Sequence, residues 1–329
     1  MSQTRVLITG AGGFIGHHLV TFLRAKGYWV RGVDIKTPEY SPVDADEFEL
    51  LDLRRWDNCL QATRGMDEVY GLAADMGGMG FISCHHSQIL HNNSLINTHT
   101  LEAARLNGAK RYFYTSSACV YPEFKQTETD VVPLKEEDAY PAMPEDGYGG
   151  EKLLGERMCR HFREDFGLQT RVARFHNVYG PLGTWDGGRE KAPAAICRKV
   201  IDAKVTGRHE INIWGDGEQT RSFMYIDDCL KGIQMILASH ITEPINLGSS
   251  ELVSINQLVD IIEGIAGIQL KRTYDLSAPK GVRGRNSDNT LIRKLLGWEP
   301  SIRLRDGLAK TYAWIYDQYM ARRRGGGGH

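Results

Sequence analysis

The sequence predicts an α/β protein: a Rossmann-type, doubly wound parallel sheet with a smaller, interleaved domain. Two observations predict this fold class. The apolar run Arg5 to Thr9 has the composition of a buried strand and leads at once into the glycine-rich stretch Gly10 to Gly16, after which a helical repeat ends near Gly27. Strand-like and helical patterns then alternate along the first half of the chain. Such alternation indicates parallel strands joined by right-handed crossovers.

Further strands of the large sheet are predicted in chain order from short apolar runs bounded by turn residues. They are Trp29 to Val33, which ends at Asp34, then Glu47 to Leu51, Glu68 to Leu72, Arg111 to Thr115 and Thr170 to Phe175. After Phe175 the pattern loosens into loops rich in glycine and proline, which we interpret as the smaller domain. Two later segments, Arg221 to Ile226 and Pro244 to Leu247, are expected to return to the large sheet around a helix from about Asp228 to Ala238.

This pattern divides the chain into two interleaved domains. The larger domain is predicted to comprise residues 1–177 and about 221–248. The smaller domain is predicted to comprise residues 178–220 and about 249–320. Residues 322–329, which end in four glycines and a histidine, are predicted to form a tail outside the fold.

Composition and charge exclude several classes of protein. Of the 329 residues, 41% are hydrophobic and 25% are charged, the balance of an ordinary folded protein. Lys plus Arg total 40 and Asp plus Glu total 41, so the net charge of -1 predicts neither nucleic acid nor a membrane as a partner. No stretch approaches about 18 consecutive apolar residues and no signal peptide is recognisable, so we predict a cytoplasmic protein. The six cysteines form no Cys-x-x-Cys pair, which predicts free thiols and no metal site.

The glycine-rich turn is typical of a dinucleotide site. Glycines 10, 13 and 16 permit a tight turn, close approach of the backbone to a pyrophosphate and close packing of the helix on the strand. Asp34 closes the second strand, where a carboxylate accepts hydrogen bonds from the ribose hydroxyls and repels a 2′-phosphate. The pattern therefore favours NAD over NADP, although Lys36 lies nearby. A solvated turn carboxylate is the alternative for Asp34.

A second group of residues has the composition of a redox centre. Thr115, Ser116 and Ser117 end a strand, where open α/β sheets bind their ligands. Tyr148 and Lys152 are spaced i and i+4 in a helical pattern, so both side chains lie on one face. Removing a hydride from a secondary alcohol requires a base for the hydroxyl proton, and a nearby ammonium helps a phenol to act as that base. Alone, such a pair is usually a surface pair.

Taken together, these motifs resemble the extended short-chain dehydrogenase/reductase family acting on nucleotide sugars, and the resemblance covers nearly the whole chain. Four longer segments resemble the branch that epimerises GDP-mannose at C3 and C5. These segments are residues 74–81, 116–124, 187–193 and 281–289. The resemblance implies oxidation at C4 by tightly held NAD, epimerisation at C5 and C3, and re-reduction, which gives GDP-L-galactose and GDP-L-gulose. It also implies that the larger domain binds NAD and the smaller domain binds the nucleotide sugar.

The family pattern carries over residue by residue. Tyr148 is implied as the redox acid/base with Lys152 as its electrostatic partner, Ser117 as the hydroxyl that holds the substrate oxygen, and Cys119 with Lys191 as the epimerising pair. On their own, a core cysteine and a solvated lysine would be the default interpretations of the last two. The predicted cofactor-binding residues are Gly10, Gly13, Phe14, Ile15, Gly16, Asp34, Asp52, Leu53, Ala73, Tyr148 and Lys152, of which Asp52 and Leu53 would bracket the adenine or form a plain turn.

Substrate-binding residues follow from the same resemblance. Gly77 and Gly78 are expected to allow close approach of the sugar. The hydrogen-bonding candidates are Ser117, Asn177, Glu190 and Lys191, the diphosphate candidates are Lys199, Arg221 and Arg285, and Gln219 is expected at the nucleotide end. A homodimer is also implied, formed through helices near residues 92–107 and 150–166.

Two other functions remain open from the sequence. One is an NAD-dependent 4-epimerase or dehydratase of another nucleotide sugar, which would not need two extra acid/base groups. The other is a non-catalytic NAD-sensing protein, which would keep the glycine turn without the chemistry.

Overall fold

The protein is described by a computed structural model that covers residues 3–279 and 281–325. The strands are β1 (Arg5–Thr9), β2 (Trp29–Asp34), β3 (Glu47–Leu50), β4 (Glu68–Gly71), β5 (Arg111–Ser117), β6 (Gln169–Phe175), β7 (Val178–Tyr179), β8 (Glu210–Trp214), β9 (Thr220–Ser222), β10 (Met224–Tyr225), β11 (Ile245–Leu247), β12 (Leu252–Ser254), β13 (Lys271–Asp275) and β14 (Gly284–Arg285). The helices are α1 (Phe14–Ala25), α2 (Trp56–Thr63), α3 (Met79–Ile82), α4 (His86–Leu106), α5 (Asp146–Phe166), α6 (Ala192–Thr206), α7 (Ile226–Ala238), α8 (Ile255–Ala266), α9 (Thr290–Leu296) and α10 (Leu304–Gly325).

Seven of these strands form one parallel sheet in the order β11-β6-β5-β4-β1-β2-β3. Alternate residues of β1 face opposite sides, as the two-residue period of a strand requires. Val6 and Ile8 belong to a core that includes Leu19 of α1 and Ile233 of α7. Leu7 belongs to a second core with residues of α2, α4 and α5. Helices therefore cover both faces, and the predicted doubly wound parallel sheet is confirmed.

The segment Arg221 to Ile226 corrects one prediction. It does not join the large sheet. Its residues split between β9, which pairs with β12 and β14, and β10, which pairs with β7. A short apolar run indicates a strand but not the strand with which it pairs. The prediction that this segment joins the large sheet was therefore wrong. The companion prediction for Pro244 to Leu247 is confirmed in substance, because β11 pairs with β6 at the sheet edge.

The C-terminal helix corrects a second prediction. Residues 322–325 lie in α10 and not in a tail. The Arg322 guanidinium donates to the Asp186 carboxylate at 2.8 Å and lies 4.4 Å from the centroid of the Trp185 ring. These contacts make the end of the helix part of the fold. Residues 326–329 lie outside the described residues, and the domain boundaries proposed above stay a prediction.

The carboxyl ends of β1, β4, β5 and β6 meet at one edge of the sheet, because all of these strands are parallel. Gly10, Ala73, Ser117 and Asn177 lie at or just beyond those ends. Open α/β sheets bind their ligands at this edge. The helices within the described residues include none that is both long and apolar enough to cross a membrane.

Candidate active site

The glycine turn between β1 and α1 has no room for side chains. Gly10 has a φ of 72°, and a Cβ added there would lie 3.0 Å from the backbone nitrogen of Ala73. A Cβ on Gly16 would lie 2.1 Å from the carbonyl oxygen of Gly10. The first residues of α1 have no side-chain cap at Gly13, so their N–H groups stay available. This backbone fits a dinucleotide pyrophosphate at the positive end of the helix dipole.

Asp34 is fixed beside this turn. One of its carboxylate oxygens accepts a hydrogen bond from Gly12 N at 2.9 Å and the other accepts one from Lys36 N at 3.2 Å. Each oxygen keeps a further lone pair, so the carboxylate could still accept bonds from ribose hydroxyls. Both carboxylate oxygens of Asp52 accept hydrogen bonds from the Arg54 guanidinium. This hydrogen bonding lowers the pKa of Asp52.

The candidate redox pair lies on one face of α5. Tyr148 and Lys152 are both buried, 7% and 3% exposed, and the Lys152 amino nitrogen lies 5.6 Å from the centroid of the Tyr148 ring. The Tyr148 hydroxyl lies 3.8 Å from the sulfur of Met76. Burial raises the pKa of Tyr148, as do the negative charges of Glu151 and Cys119, and hydrogen bonding to Ser117 lowers it. Burial therefore favours the protonated phenol, and the nearby Lys152 ammonium is the cation that can offset this effect.

The Cys119 thiol is positioned by a 3₁₀ turn at the end of β5. This turn spans Ala118–Val120, and its first free N–H, that of Cys119, donates to the Ser117 hydroxyl at 3.2 Å. Helix α5 packs directly against the turn, because a Cβ on Gly149 would lie 2.2 Å from the carbonyl oxygen of Cys119. Gly149 thus lets the redox helix approach the thiol, whereas Gly150 faces open space.

Three cationic side chains face the Cys119 sulfur. The Arg285 guanidinium lies 3.6 Å from it. Lys191 and Arg221 are close enough that negative charge on this sulfur raises the pKa of each. Burial among protein atoms has the larger effect and lowers both pKa values, that of Arg221 to about 10. The Lys191 residue is nevertheless exposed to solvent. The predicted epimerising pair, Cys119 and Lys191, is therefore brought together.

Arg285 is held in this position by two residues that the sequence analysis missed. Its Nε donates to the Gln126 side-chain oxygen at 2.6 Å, and its terminal nitrogen forms an ion pair with Glu145. The backbone N–H of Glu145 donates to the Cys119 carbonyl at 2.9 Å, which ties the group to the thiol turn. The sequence predicted Arg285 and Arg221 as diphosphate ligands. That role stays a prediction, and the structure places both beside the sulfur.

Two loops meet above the site. The Gly78 N–H donates to the Arg189 carbonyl at 3.0 Å, and a Cβ on Gly78 would lie 2.5 Å from the Glu190 carbonyl oxygen. Gly78 therefore permits close approach of the loop that carries Arg189 and Glu190. The sequence analysis predicted that the sugar would approach the backbone at this position. The Glu190 carboxylate pairs with Arg198 at 3.1 Å and accepts from Gly188 N at 2.7 Å.

The remaining substrate candidates donate hydrogen bonds to backbone carbonyls of neighbouring segments. Asn177 donates to the Ser222 carbonyl at 3.1 Å, and Lys199 donates to the Asn212 carbonyl at 2.7 Å. Gln219 donates to the Trp214 carbonyl at 2.8 Å, and its buried side-chain oxygen has no hydrogen-bond partner among the described residues. This bond connects Gln219 to the turn that follows Trp214. No cluster of three or more His, Cys, Asp or Glu side chains suited to a metal occurs in residues 3–279 and 281–325.

Comparison with known proteins identifies the family. The sequence profile described as "NAD dependent epimerase/dehydratase family" matches residues 6–248. The chain belongs to this family. An NAD-dependent enzyme with a Rossmann-type sheet is thereby confirmed, and NAD is the cofactor that its members use. The glycine turn and Asp34 are the features of this chain that fit that cofactor.

Relatives narrow the comparison within this family. The chain is 53% identical to GDP-mannose 3,5-epimerase 1 of Oryza sativa subsp. japonica over 96% of this chain and 82% of that protein. It is 52% identical to GDP-mannose 3,5-epimerase of Arabidopsis thaliana over 95% of this chain and 82% of that protein. The resemblance stated from the motifs is confirmed by these relatives.

Solved structures of family members share the architecture. UDP-glucose 4-epimerase of Thermotoga maritima, solved with UDP-glucose, matches with a TM-score of 0.86 and 25% identity, covering 96% of this chain and 100% of that chain. UDP-glucuronic acid 4-epimerase of Bacillus cereus, solved with UDP-glucuronic acid and NAD, matches with a TM-score of 0.80 and 27% identity, covering 96% and 100%. The predicted fold class is confirmed.

Proposed function

We propose that the chain converts GDP-mannose to GDP-L-galactose and GDP-L-gulose by transient oxidation at C4, epimerisation at C5 and C3, and re-reduction. The observation that carries this proposal is the grouping of Cys119 and Lys191 beside the redox tyrosine, in a chain 53% identical to a GDP-mannose 3,5-epimerase. A reaction confined to C4 needs no second acid/base pair, whereas inversion of a C–H centre needs proton removal from one face and return to the other.

The cofactor fits the glycine turn. When bound there, NAD would supply reversible hydride transfer at C4 of the sugar. The backbone from Gly10 to Gly16 and the N-terminus of α1 would hold its pyrophosphate, and Asp34 its adenosine ribose. Ala73 packs against Gly10, and Leu53 is buried beside the same edge of the sheet, where it would support the adenine. Asp52, already paired with Arg54, would line that position.

The redox half of the site handles the proton of the C4 hydroxyl. Tyr148 takes this proton during oxidation and gives it back during re-reduction, so it must be able to exist in both forms. The Ser117 hydroxyl is hydrogen-bonded to Tyr148 and would hold the substrate oxygen in line with the phenol. The buried Lys152 ammonium supplies the positive charge that stabilises the phenolate.

The epimerising half acts on the C–H bonds next to the C4 carbonyl. A carbonyl at C4 acidifies the protons at C3 and C5. Cys119 and Lys191 share the removal and return of these protons. The guanidinium of Arg285 balances negative charge on the sulfur. Burial among protein atoms lowers the pKa of Lys191, which brings the neutral amine closer to the working pH.

The remaining predicted substrate-binding residues would hold the nucleotide sugar. Gly77, Asn177 and Glu190 would face the sugar, and Lys199, Arg221 and Arg285 would supply positive charge toward the diphosphate. The unpartnered side-chain oxygen of Gln219 would accept a hydrogen bond from the nucleotide end.

We also propose that the protein forms a homodimer and lies in the cytoplasm. A homodimer would form through α4 and α5, which carry the exposed apolar side chains Leu106, Leu154 and Phe166.

The test is turnover of GDP-mannose in deuterated water by the purified chain with no added cofactor. The proposal predicts GDP-L-galactose and GDP-L-gulose, with deuterium at C5 in both products and also at C3 in GDP-L-galactose. Failure to convert GDP-mannose by protein shown to carry NAD would contradict it.

A second candidate is a 4-epimerase of a UDP-sugar, which the solved structures named above favour. It would invert C4 without exchange of the C3 and C5 hydrogens. UDP-glucose and UDP-glucuronic acid, offered under the same conditions, distinguish the two candidates.

A further inference from the structure

A buried carboxylate lies directly beside the redox lysine. Glu151 is 1% exposed and comes immediately before Lys152 in α5. One carboxylate oxygen accepts a hydrogen bond from Asn93 at 2.9 Å, and the other accepts one from Asn97 at 2.8 Å. The Lys152 amino nitrogen lies 3.6 Å from the first oxygen. A charge so deeply buried is tolerated only where such partners surround it.

The charged and titratable groups around Glu151 come from three elements. Lys152 and Tyr148 share its helix, Tyr114 faces it from β5, and Cys119 faces Tyr148 from the adjoining 3₁₀ turn. Helix α4 contributes two neutral asparagines, Asn93 and Asn97. Among these groups Lys152 is the only cation. Burial raises the pKa of Glu151, whereas Lys152 and the two asparagines lower it. In its ionised form Glu151 therefore acts directly on the charge that Tyr148 depends on.

The same cluster reaches the loop above the site. Asn93, which donates to Glu151, also accepts from the backbone N–H of Asp75 at 2.6 Å and donates to its carbonyl at 3.2 Å. The next residue, Met76, contacts the Tyr148 hydroxyl. Glu151 is thus coupled to both sides of the phenol, through Lys152 on one side and through this loop on the other.

We propose that Glu151 is a positioning residue for the redox step: it orients the Lys152 ammonium and sets the proton affinity of Tyr148, with Asn93 and Asn97 holding its carboxylate. This inference rests on the proposed function. Without such a counter-charge, Lys152 would stabilise the phenolate more strongly, and Tyr148 would be a weaker base toward the C4 hydroxyl during oxidation. The carboxylate balances the two directions of the reaction, which the same tyrosine must serve. The direction of its effect on Tyr148, an increased pKa, agrees with this role.

The experiment compares the pH dependence of GDP-mannose turnover in the wild type and in Glu151→Gln, which keeps the shape and removes the charge. Loss of the negative charge favours the phenolate, so the acid limb of the rate profile should move to lower pH by roughly half a unit or more. The control is Glu156→Gln. Glu156 is equally buried on the same helix but pairs with Arg174, so its loss should lower thermal stability without moving the limb.

The outcomes separate the inference from the function. A wild type that does not convert GDP-mannose contradicts the proposed function itself. An active wild type whose acid limb coincides with that of folded Glu151→Gln overturns the inference, and so does an equal shift in Glu156→Gln. If Glu151→Gln does not fold, Asn97→Leu decides. This variant removes the hydrogen bond with which Asn97 lowers the pKa of Glu151, so less negative charge remains on Glu151 at acidic pH. The acid limb should therefore move to lower pH by a smaller amount than in Glu151→Gln, whereas an unchanged limb rejects the role.

Discussion

The two halves of the active site are built in different ways. Tyr148 and Lys152 are buried on one helix, and their neighbour Glu151 is held by hydrogen bonds from α4. Cys119 and Lys191 lie on separate segments, a 3₁₀ turn after β5 and the loop that leads into α6. The spacing of Tyr148 and Lys152 is therefore set within a single helix, whereas the epimerising geometry depends on how loops and Arg285 meet.

This difference suggests where each half is vulnerable. Changes in the redox half should remove all chemistry, because oxidation must precede the acidification of C3 and C5. Changes in the epimerising half should leave oxidation at C4 intact and abolish only proton exchange. The predictions below test this separation, beginning with the largest effect.

Tyr148→Phe should abolish both conversion and deuterium uptake, a loss of roughly 10⁴-fold, because no other group takes the C4 proton. Product formation from GDP-mannose in deuterated water is the measurement. Tyr140→Phe, which changes an exposed tyrosine, should behave as wild type. Substantial deuterium uptake in Tyr148→Phe would contradict the order of steps.

Cys119→Ala should reduce conversion by roughly 10³-fold while oxidation at C4 continues. Solvent deuterium at C3 and C5 should disappear, whereas a deuterium placed at C4 of GDP-mannose should still be lost to the bound cofactor. Mass spectrometry of recovered sugar and cofactor measures both. Cys84→Ala, at an exposed cysteine, is the matched control and should retain full exchange.

Gly149→Ala tests the contact between the halves. Its new methyl group would meet the Cys119 carbonyl, so we expect a loss of about 1–3 kcal/mol in stability and up to roughly 10²-fold in proton exchange. Gly150→Ala adds the same methyl in open space and should stabilise the helix by about 0.5–1 kcal/mol. Denaturant unfolding of both variants checks the pair. Equal effects would mean that the helix does not press on the thiol turn.

A smaller effect concerns the buried hydrogen bonds among Tyr121, Asn246 and His176, next to the 3₁₀ turn that carries Cys119. Tyr121 of this segment donates to the Asn246 side chain at 2.6 Å, and His176 lies 3.1 Å from the same oxygen. Burial lowers the pKa of His176 to about 4. Between about pH 6.5 and 4 the unfolded chain therefore binds more protons than the folded chain, so His176 lowers stability as pH falls, by up to ~1.4 kcal/mol per pH unit.

The measurement is the free energy of unfolding at pH 7 and pH 5. His176→Asn should lose less stability over this interval than the wild type. His161→Gln, at an exposed histidine of α5, should keep the wild-type dependence. If the free energy of unfolding of His176→Asn depends on pH as in the wild type, this histidine does not reduce stability in acid.

The same contrast explains what the sequence could predict. Helical spacing alone placed Tyr148 and Lys152 on one face, and the strand-glycine-helix order located the cofactor turn. Pairing of Cys119 with Lys191 came only from resemblance, because no local period relates residues on two loops. Gln126 and Glu145 were missed because they act through Arg285, and Glu151 was missed because the asparagines that hold it lie on another helix.

The fold shows the same limit. The large sheet followed from repeated strand and helix patterns, but Arg221 to Ile226 was assigned to the wrong sheet, since its short run specifies no partner. Residues 322–325 were placed in a tail because glycine-rich sequence next to them gave no sign of the contacts between Arg322, Trp185 and Asp186.

NMR of the products that the wild type and Cys119→Ala form from GDP-mannose in deuterated water shows which carbons exchange their protons. The wild type should introduce deuterium at C5 and C3 with retained configuration at C4, and the variant should introduce none. Sugar inverted at C4 with its C3 and C5 hydrogens unexchanged, or full exchange in Cys119→Ala, would contradict epimerisation at C5 and C3 through Cys119.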